Sequence, residues 1–223
     1  MIDIIDKILI LIFSPILIII AILVISLKII FDGFPIFYTS IRYSSINKPF
    51  NSIKFRSMIK DQAFINKEIE KYNNDGFEKI PLNSSVYTIF GKFLERSQLV
   101  ELPQLLNCLL DELSIVGCRP LPKKNLLKLQ SKYGVKIMKD RGKRKGGLAG
   151  IAQMLGKANL SNKKRLQLEI SEVNFFCKAP TYKKIIVYFL IIFGVFVSVI
   201  LNNVPKYIEK FILENFEKYN RKN

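Results

Sequence analysis

A run of uncharged, mostly aliphatic residues near the start of the chain constrains its fold most strongly. Ile8 to Leu27 contains twenty such residues and has charged residues on both sides. About 20 apolar residues are enough for a helix to cross the hydrocarbon core of a bilayer. Ser14 and Pro15 lie near the middle, where proline kinks a helix and serine can satisfy the carbonyl group that proline frees. Such a segment either crosses the bilayer or turns back, and the residues alone favour crossing.

A second uncharged run, Ile185 to Leu201, is seventeen residues long and reaches only the lower limit of spanning length. It predicts a membrane span, an embedded hairpin arm or an interfacial helix. From Asn202 to Asn223, apolar residues at helical spacing stand among lysines and glutamates. This pattern predicts an amphipathic helix that lies on a surface.

The charge of the chain indicates an anionic partner. The formal net charge is +17, from 35 Lys and Arg against 18 Asp and Glu. Such an excess suits lipid headgroups, nucleotide diphosphates or nucleic acid. Histidine is absent, which excludes histidine acid–base chemistry and histidine metal ligands. The three cysteines, at positions 108, 118 and 177, have no metal-binding spacing, which favours reduced thiols facing the cytoplasm.

The stretch from Phe90 to Leu121 carries the strongest local pattern. Leucines follow Pro103 at positions 105, 106, 109, 110 and 113, which predicts a helix with one apolar stripe. Pro103 suits the first turn of such a helix. Glu101 would then lie beside unpaired N–H groups, where an acidic catalytic group, a metal ion or a phosphate is favourable. The alternative is an acidic residue that only favours the helix dipole, and spacing alone favours that alternative.

Two basic segments offer further phosphate sites. Lys54 and Arg56 lie in a basic, aromatic stretch that predicts either a phosphate-contacting strand or a loop against lipid headgroups. The basic run 139–145 leads into glycines at 146–150, which predicts a solvated segment and a flexible loop whose N–H groups can meet phosphate. Helices are predicted over Met58 to Tyr72, Pro122 to Lys136 and Leu160 to Phe176 (capped by Ser161), with a polar connection over 73–85.

Six segments, in order, resemble motifs of the monotopic phosphoglycosyl transferases, bacterial sugar transferases that prime polyprenyl-linked glycan assembly. They are Ser14-Pro15, Lys54 to Met58 (KFRSM), Gly91 to Leu94 (GKFL), Leu99 to Leu105 (LVELPQL), Leu113 to Leu121 (LSIVGCRPL) and Gly147 to Gly156 (GLAGIAQMLG). The resemblance covers Asp6 to about Lys184. Any one motif is weak, whereas their order and spacing together are specific.

The resemblance implies a mostly helical α+β fold that is associated with the membrane. Residues 1–31 would form a re-entrant helix kinked at Ser14 and Pro15, against the crossing that the residues alone favour. Residues 32–184 would form a small cytosolic sugar-transferase-like domain with interfacial amphipathic helices, and residues 185–223 a second hydrophobic segment with its tail. The implied location is the cytoplasmic face of the bacterial inner membrane, in contact with phospholipid.

The resemblance also implies a reaction, which is the first membrane step of capsule, O-antigen or glycoprotein glycan assembly. A phosphosugar moves from a UDP-sugar to polyprenyl phosphate, with Mg²⁺ as cofactor. An aspartate attacks the β-phosphate and releases UMP, and the lipid phosphate then resolves the covalent intermediate. The implied site residues are Glu101 as catalytic group and metal ligand, Lys54, Arg56 and Arg119 for phosphate, and Gly147, Gly150 and Gln153 as a substrate loop.

The catalytic motif itself departs from the family pattern. The family's adjacent Asp-Glu pair is Val100-Glu101 here, so valine occupies the position of the nucleophile. Asp111 and Glu112 do not replace it, because the flanking LPQL and SIVG matches fix the register. Loss of a covalent nucleophile costs several orders of magnitude in rate. Further departures are Ser40, Glu95, Ser97-Gln98, Cys118, the glycine segment 146–150 and Thr181.

Three hypotheses follow. The first is a catalytically dead or impaired homologue that binds substrate, or that partners an active homologue or a second copy of itself. Under it, Val100→Asp is expected to raise activity. The second is an active transferase in which Glu101 is the nucleophile, or assists direct attack by the lipid phosphate. The third is a membrane-tethered basic binding domain; no nucleic-acid motif supports it, so no nucleic-acid partner is expected.

Overall fold

The computed structural model describes residues 2–45, 48–74, 77–78, 80–156, 160–201 and 203–220. The helices are α1 Ile2–Asp32, α2 Gln62–Tyr72, α3 Ile89–Arg96, a 3₁₀ helix Leu99–Gln104, α4 Leu105–Leu109, α5 Lys123–Tyr133, α6 Val135–Arg141, α7 Ile151–Met154, α8 Asn162–Lys178, α9 Thr181–Leu201 and α10 Lys206–Asn220. The strands are β1 Phe37–Ser45, β2 Lys48–Phe55, β3 Asn73–Asn74, β4 Phe77–Glu78, β5 Ser114–Val116 and β6 Gly147–Ala149. The predicted mostly helical α+β class is confirmed.

The strands form short pairs rather than one large sheet. Strands β1 and β2 make an antiparallel hairpin, β3 and β4 a second antiparallel pair, and β5 and β6 a parallel pair. The prediction of a flexible glycine loop is therefore wrong over Gly147–Ala149. The Gly147 N–H group donates to the Cys118 carbonyl at 2.8 Å, and a Cβ atom at Gly147 would lie 2.2 Å from the Gly117 nitrogen. Glycine is needed at this position because the two strands approach so closely.

Helix α1 continues through Pro15 for 31 residues. Pro15 has no N–H group for the Leu11 carbonyl, and the Ser14 hydroxyl donates to that carbonyl at 2.8 Å instead. Serine thus supplies the hydrogen bond that proline removes, as the sequence predicts. Helices α1 and α9 are both long and apolar enough to cross a membrane.

Both ends of α1 are attached to the folded domain. Near its start, the buried Asp6 carboxylate accepts a hydrogen bond from the Ile115 backbone N–H at 3.2 Å. At its end, the Asp32 carboxylate accepts a hydrogen bond from the Thr88 hydroxyl at 2.9 Å. Most aliphatic side chains between these ends are exposed. One long apolar surface therefore lies between two polar attachments to the same domain.

The main hydrophobic cluster lies among helices α7 to α10. Phe175 of α8, Ile191 of α9 and Phe216 of α10 are completely or almost completely buried in it, together with Val116 of β5. Helix α10 is amphipathic, as predicted, and its apolar side packs on α8 rather than on a bare surface. Helices α9 and α10 thus share a core with the preceding domain.

Several predicted helix boundaries differ from the structure. The helix predicted after Pro103 is a 3₁₀ helix followed by the short α4, which ends where Asp111 adopts a φ of +62°. A left-handed residue cannot continue a right-handed helix. The helix predicted up to Lys136 is split at Gly134, where φ is +95°. Helix α2 begins at Gln62, four residues later than predicted.

Two other local predictions concern the start of helix α8 and the polar connection over 73–85. Helix α8 is capped by Ser161, whose hydroxyl accepts a hydrogen bond from the Lys164 N–H at 3.2 Å, so this prediction is confirmed. The predicted polar connection over 73–85 contains β3 and β4, and residues 75, 76 and 79 of it lie outside the described residues.

Candidate functional site

A small open cleft lies between strand β2, the 3₁₀ helix and the loop after β5. Strand β2 contributes Ser52 and Lys54, which share one face because alternate strand residues point the same way. The 3₁₀ helix contributes Glu101 and Gln104, which lie one turn apart. The lining residues are Arg42, Ser52, Lys54, Glu101, Gln104, Arg119, Pro120 and Gly147.

A carboxylate held by two cations forms the centre of the cleft. Glu101 Oε1 accepts hydrogen bonds from Lys54 Nζ at 2.7 Å and from Arg119 Nη2. Burial lowers the pKa of Lys54, and the Glu101 charge opposes that shift. Glu101 raises the pKa of Arg119. With Arg42 also in the lining, cationic side chains outnumber carboxylates in the cleft. Such an excess suits the oxygens of a phosphate group.

Val100 does not face the cleft. Its side chain is 2% exposed and belongs to a hydrophobic cluster with Val24 of α1, Phe55 of β2 and Leu94 of α3. The position of the family's nucleophile is therefore filled by a core residue. The expectation that Val100→Asp restores activity is revised, because a carboxylate at this position would be buried among apolar side chains.

Arg56, to which the resemblance assigns a phosphate-binding role, is not among the residues that line the cleft. Its guanidinium donates to the carbonyls of Pro35 at 2.7 Å and of Met58, Asp32 and Gly33 at 2.9 Å. Carbonyl groups at the end of a helix lack intrahelical partners, and a buried arginine can satisfy them. Arg56 therefore attaches the end of α1 to strand β2.

The predicted substrate loop is only partly brought to the cleft. Gly147 lines it, whereas Gly150 and Gln153 do not. Gly150 lies against the residue that follows β5, since a Cβ atom there would be 2.6 Å from the Gly117 carbonyl oxygen. The Gln153 amide donates to the Leu148 carbonyl at 3.3 Å. Ser14 and Pro15 lie within α1, away from the cleft.

Four residues that line the cleft were not predicted as site residues by the sequence analysis: Arg42, Ser52, Gln104 and Pro120. Ser52 and Gln104 could have been found from their sequence spacing to the predicted site residues. Ser52 lies two residues before Lys54 in a strand, and Gln104 lies three residues after Glu101 in a 3₁₀ helix. Arg42 lies on the neighbouring strand β1, where its Nε donates to the Ser40 hydroxyl at 3.2 Å.

A buried ion-pair network supports the cleft from behind. Arg141 Nε donates to Glu169 at 2.6 Å, and Arg165 Nε donates to the other oxygen of Glu169 at 3.0 Å. Arg141 Nη2 also donates to the Arg119 backbone carbonyl at 2.6 Å. Burial opposes ionisation of Glu169, but the two arginines outweigh it and lower the pKa of that carboxyl below its ordinary value. The prediction that the basic run 139–145 is solvated is wrong for Arg141, which is 1% exposed.

The residues of the cleft do not fit Mg²⁺. Magnesium is usually held by one or two carboxylates together with substrate phosphates and water. Among the described residues, Glu101 is the one carboxylate that lines the cleft, and its Oε1 already accepts hydrogen bonds from two cations. Within the described ranges, acidic and cysteine side chains form no group of three that could hold a metal ion. The predicted role of Glu101 as a metal ligand is therefore not supported by this donor set.

Comparison with known families decides what kind of protein carries this cleft. The family profile described as bacterial sugar transferase matches residues 1–193. The chain belongs to the bacterial sugar transferase family. This membership confirms the resemblance drawn from the ordered motifs. In this chain the residue before Glu101 is Val100.

Individual sugar transferases are similar over much of this chain. The exopolysaccharide production protein ExoY of Rhizobium meliloti is 30% identical over 168 residues, which are 73% of this chain and 70% of that protein. The uncharacterized sugar transferase EpsL of Bacillus subtilis is 31% identical over 157 residues, 70% of this chain and 68% of that protein. The UDP-glucose:undecaprenyl-phosphate glucose-1-phosphate transferase of Klebsiella pneumoniae is 32% identical over 153 residues, 69% of this chain but 30% of that protein.

Proposed function

We propose that this sugar transferase homologue binds a phosphate-bearing substrate of membrane glycan assembly but does not form a covalent phosphosugar intermediate. The burial of Val100 in an apolar cluster carries this proposal. A covalent route needs a side chain with a lone pair at the reacting phosphorus. Valine has none, and its side chain points into the core rather than the cleft.

The cleft supports binding of a phosphate group. Lys54, Arg119 and Arg42 supply positive charge and hydrogen-bond donors, which is the chemistry that recognises phosphate oxygens. The names of the relatives supply the substrate class: one is a UDP-glucose:undecaprenyl-phosphate transferase, and another, from Salmonella typhimurium, is an undecaprenyl-phosphate galactose phosphotransferase. The proposed ligands are therefore a UDP-sugar and a polyprenyl phosphate.

One observation favours an active alternative. Glu101 is a carboxylate inside the cleft and could act as nucleophile without help from position 100. Its Oε1, however, is hydrogen-bonded to Lys54 and Arg119. Hydrogen bonds to the charged form stabilise a carboxylate and make it a weaker nucleophile. The geometry therefore favours a charge-holding role for Glu101.

An assay of UMP release separates these alternatives. The full chain is placed in lipid nanodiscs with undecaprenyl phosphate, Mg²⁺ and either UDP-glucose or UDP-galactose. We expect native chain and Glu101→Gln to release UMP equally slowly, at the background rate, because neither contains a working nucleophile. Glutamine is a matched control, since it keeps the size of the side chain and removes its charge. UMP release by the native chain that Glu101→Gln abolishes would establish the active alternative instead.

The attachments of α1 support a membrane arrangement in which this helix enters and leaves on the cytoplasmic face. A 31-residue helix is about 46 Å long, enough to cross a bilayer. A crossing helix would place Asp6 and Asp32 on opposite sides, yet both are hydrogen-bonded to the same domain. We therefore assign α1 to one leaflet of the inner membrane, with its exposed apolar surface in contact with lipid tails.

Cysteine labelling tests this arrangement. Ile4→Cys and Phe34→Cys, both at exposed positions, are made in a Cys177→Ser background because Cys177 is the exposed native thiol among the described residues. In intact bacterial spheroplasts, a membrane-impermeant maleimide is expected to label neither cysteine, and permeabilisation is expected to expose both. Labelling of one cysteine but not the other in intact spheroplasts would show that α1 crosses the membrane.

A further inference from the structure

We infer that the cleft binds the phosphate group of its ligand directly, without a divalent cation, and that Ser52 and Gln104 donate hydrogen bonds to it. The inference rests on the proposed binding function and adds to it how the phosphate is held. Its ligand class is a phosphate ester or diphosphate, which UDP-sugars and polyprenyl phosphates share.

Two buried donors in the cleft point to a missing hydrogen-bond acceptor. Ser52 is 1% exposed and Gln104 is 4% exposed, and both line the cleft. Across the described part of the chain, neither Ser52 Oγ nor Gln104 Nε2 has a hydrogen-bond partner. Buried polar groups without partners destabilise a fold, and native proteins retain few of them. A bound phosphate would supply the oxygens that these donors lack.

The charges around these donors replace what a metal ion supplies to a phosphate. Lys54 and Arg119 are fixed in place by their shared contact with Glu101, and Arg42 lines the same cleft. Together they neutralise phosphate charge without a cofactor. Glu101 is a positioning residue in this arrangement, because it holds two phosphate-binding side chains. A divalent cation bound to Glu101 would instead be repelled by the Lys54 and Arg119 side chains, which are already hydrogen-bonded to that carboxylate.

The placement of the neutral donors matches the cationic ones. Ser52 shares a strand face with Lys54, and Gln104 lies one 3₁₀ turn after Glu101. Each side of the cleft thus presents a neutral donor beside the charged centre. Phosphate oxygens that contact Lys54 and Arg119 would lie near both neutral donors, which explains why serine and glutamine are buried there without other partners.

Binding measurements with and without Mg²⁺ test the inference. The full chain in nanodiscs is titrated with UDP-glucose in one arm and undecaprenyl phosphate in the other, each in Mg²⁺ and in excess EDTA. For a ligand that binds, we expect the dissociation constants measured in Mg²⁺ and in EDTA to differ by less than about twofold. We expect Ser52→Ala and Gln104→Ala each to weaken that binding roughly tenfold, because each removes a hydrogen bond to a charged group.

The thermal midpoint of the unliganded protein separates ligand binding from a structural role. Ser52→Ala and Gln104→Ala should leave the midpoint unchanged or raise it, since neither removes a hydrogen bond to a described residue. Ser57→Ala is the matched control: Ser57 is buried outside the cleft and donates to Glu95 at 2.7 Å. This control should lower the midpoint and leave the affinity unchanged.

The possible outcomes are distinct. Binding of UDP-glucose or of undecaprenyl phosphate that is equal in Mg²⁺ and EDTA, and that both variants weaken roughly tenfold, supports the inference. The ligand that binds more tightly then identifies which phosphate the cleft holds. Binding that requires Mg²⁺ overturns the inference and leaves the proposed function standing. Unchanged affinity in Ser52→Ala and Gln104→Ala overturns the assignment of these donors. Absence of binding in both arms, with and without Mg²⁺, overturns the inference and the proposed function together.

Discussion

Replacing Val100 with aspartate is expected to destabilise the protein by about 3–5 kcal/mol rather than to create an active transferase. The Val100 side chain packs against Val24, Phe55 and Leu94 and is 2% exposed. A carboxylate there would lose its water and gain no partner, which is among the costliest single changes in a folded protein. Chemical denaturation of the purified variant in detergent measures the stability change, and UMP release measures activity.

Val100→Ala separates the effect of charge from the effect of lost packing. Removing two buried methyl groups is expected to cost about 2 kcal/mol, clearly less than the aspartate. The expected order of stability is native, then alanine, then aspartate. A Val100→Asp protein that is as stable as the native chain and releases UMP would mean that the 3₁₀ helix turns position 100 into the cleft. The assignment of Val100 to the core would then be wrong.

Arg141→Ala is expected to cost about 3–5 kcal/mol, because it leaves the buried Glu169 carboxylate without its closest cation. It should also weaken ligand binding, since Arg141 holds the backbone of Arg119. The native pKa of Glu169 lies below its ordinary value of 4.5. Stability from this carboxylate is therefore present above about pH 4.5 and is lost as the pH falls through the lowered pKa. Denaturation curves between neutral and acidic pH should show a smaller acid dependence in Arg141→Ala.

Lys143→Ala in the same basic run is the matched control. The Lys143 side chain is 55% exposed and pairs with Asp140 at the surface. Removing it is expected to change stability by less than about 0.5 kcal/mol, because exposed ion pairs are screened by water and salt. Similar losses in Arg141→Ala and Lys143→Ala would contradict the buried role of Arg141.

The ordered motifs of the sequence predicted the central cluster of the site well. Lys54, Glu101 and Arg119 are distant in sequence, and the structure joins all three at one carboxylate oxygen. Family motifs carry this information because such residues keep a fixed spacing and order. The same motifs placed Arg56 at a phosphate, although its guanidinium satisfies carbonyls such as that of Asp32. That contact depends on where α1 ends against β2, which local sequence does not specify.

Burial of charged residues was the main feature that the sequence could not predict. Arg141 stands in a run of basic residues, and nothing in that run distinguishes it from Lys143. Its burial depends on Glu169, which lies 28 residues later on helix α8. Likewise, Gly147 forms a strand because it pairs with Ser114 across a long connection. Such pairings are tertiary, so composition and periodicity within one segment cannot show them.

UMP release by the native chain tests the central claim most directly, because transfer of the phosphosugar would release UMP both through a covalent intermediate and by direct attack of the lipid phosphate. The measurement uses the full chain in nanodiscs with undecaprenyl phosphate, Mg²⁺ and UDP-glucose or UDP-galactose. We predict UMP release at the background rate, equal to that of Glu101→Gln, because Val100 is in the core and Glu101 is held by Lys54 and Arg119. Repeated turnover by the native chain that Glu101→Gln abolishes would contradict this prediction.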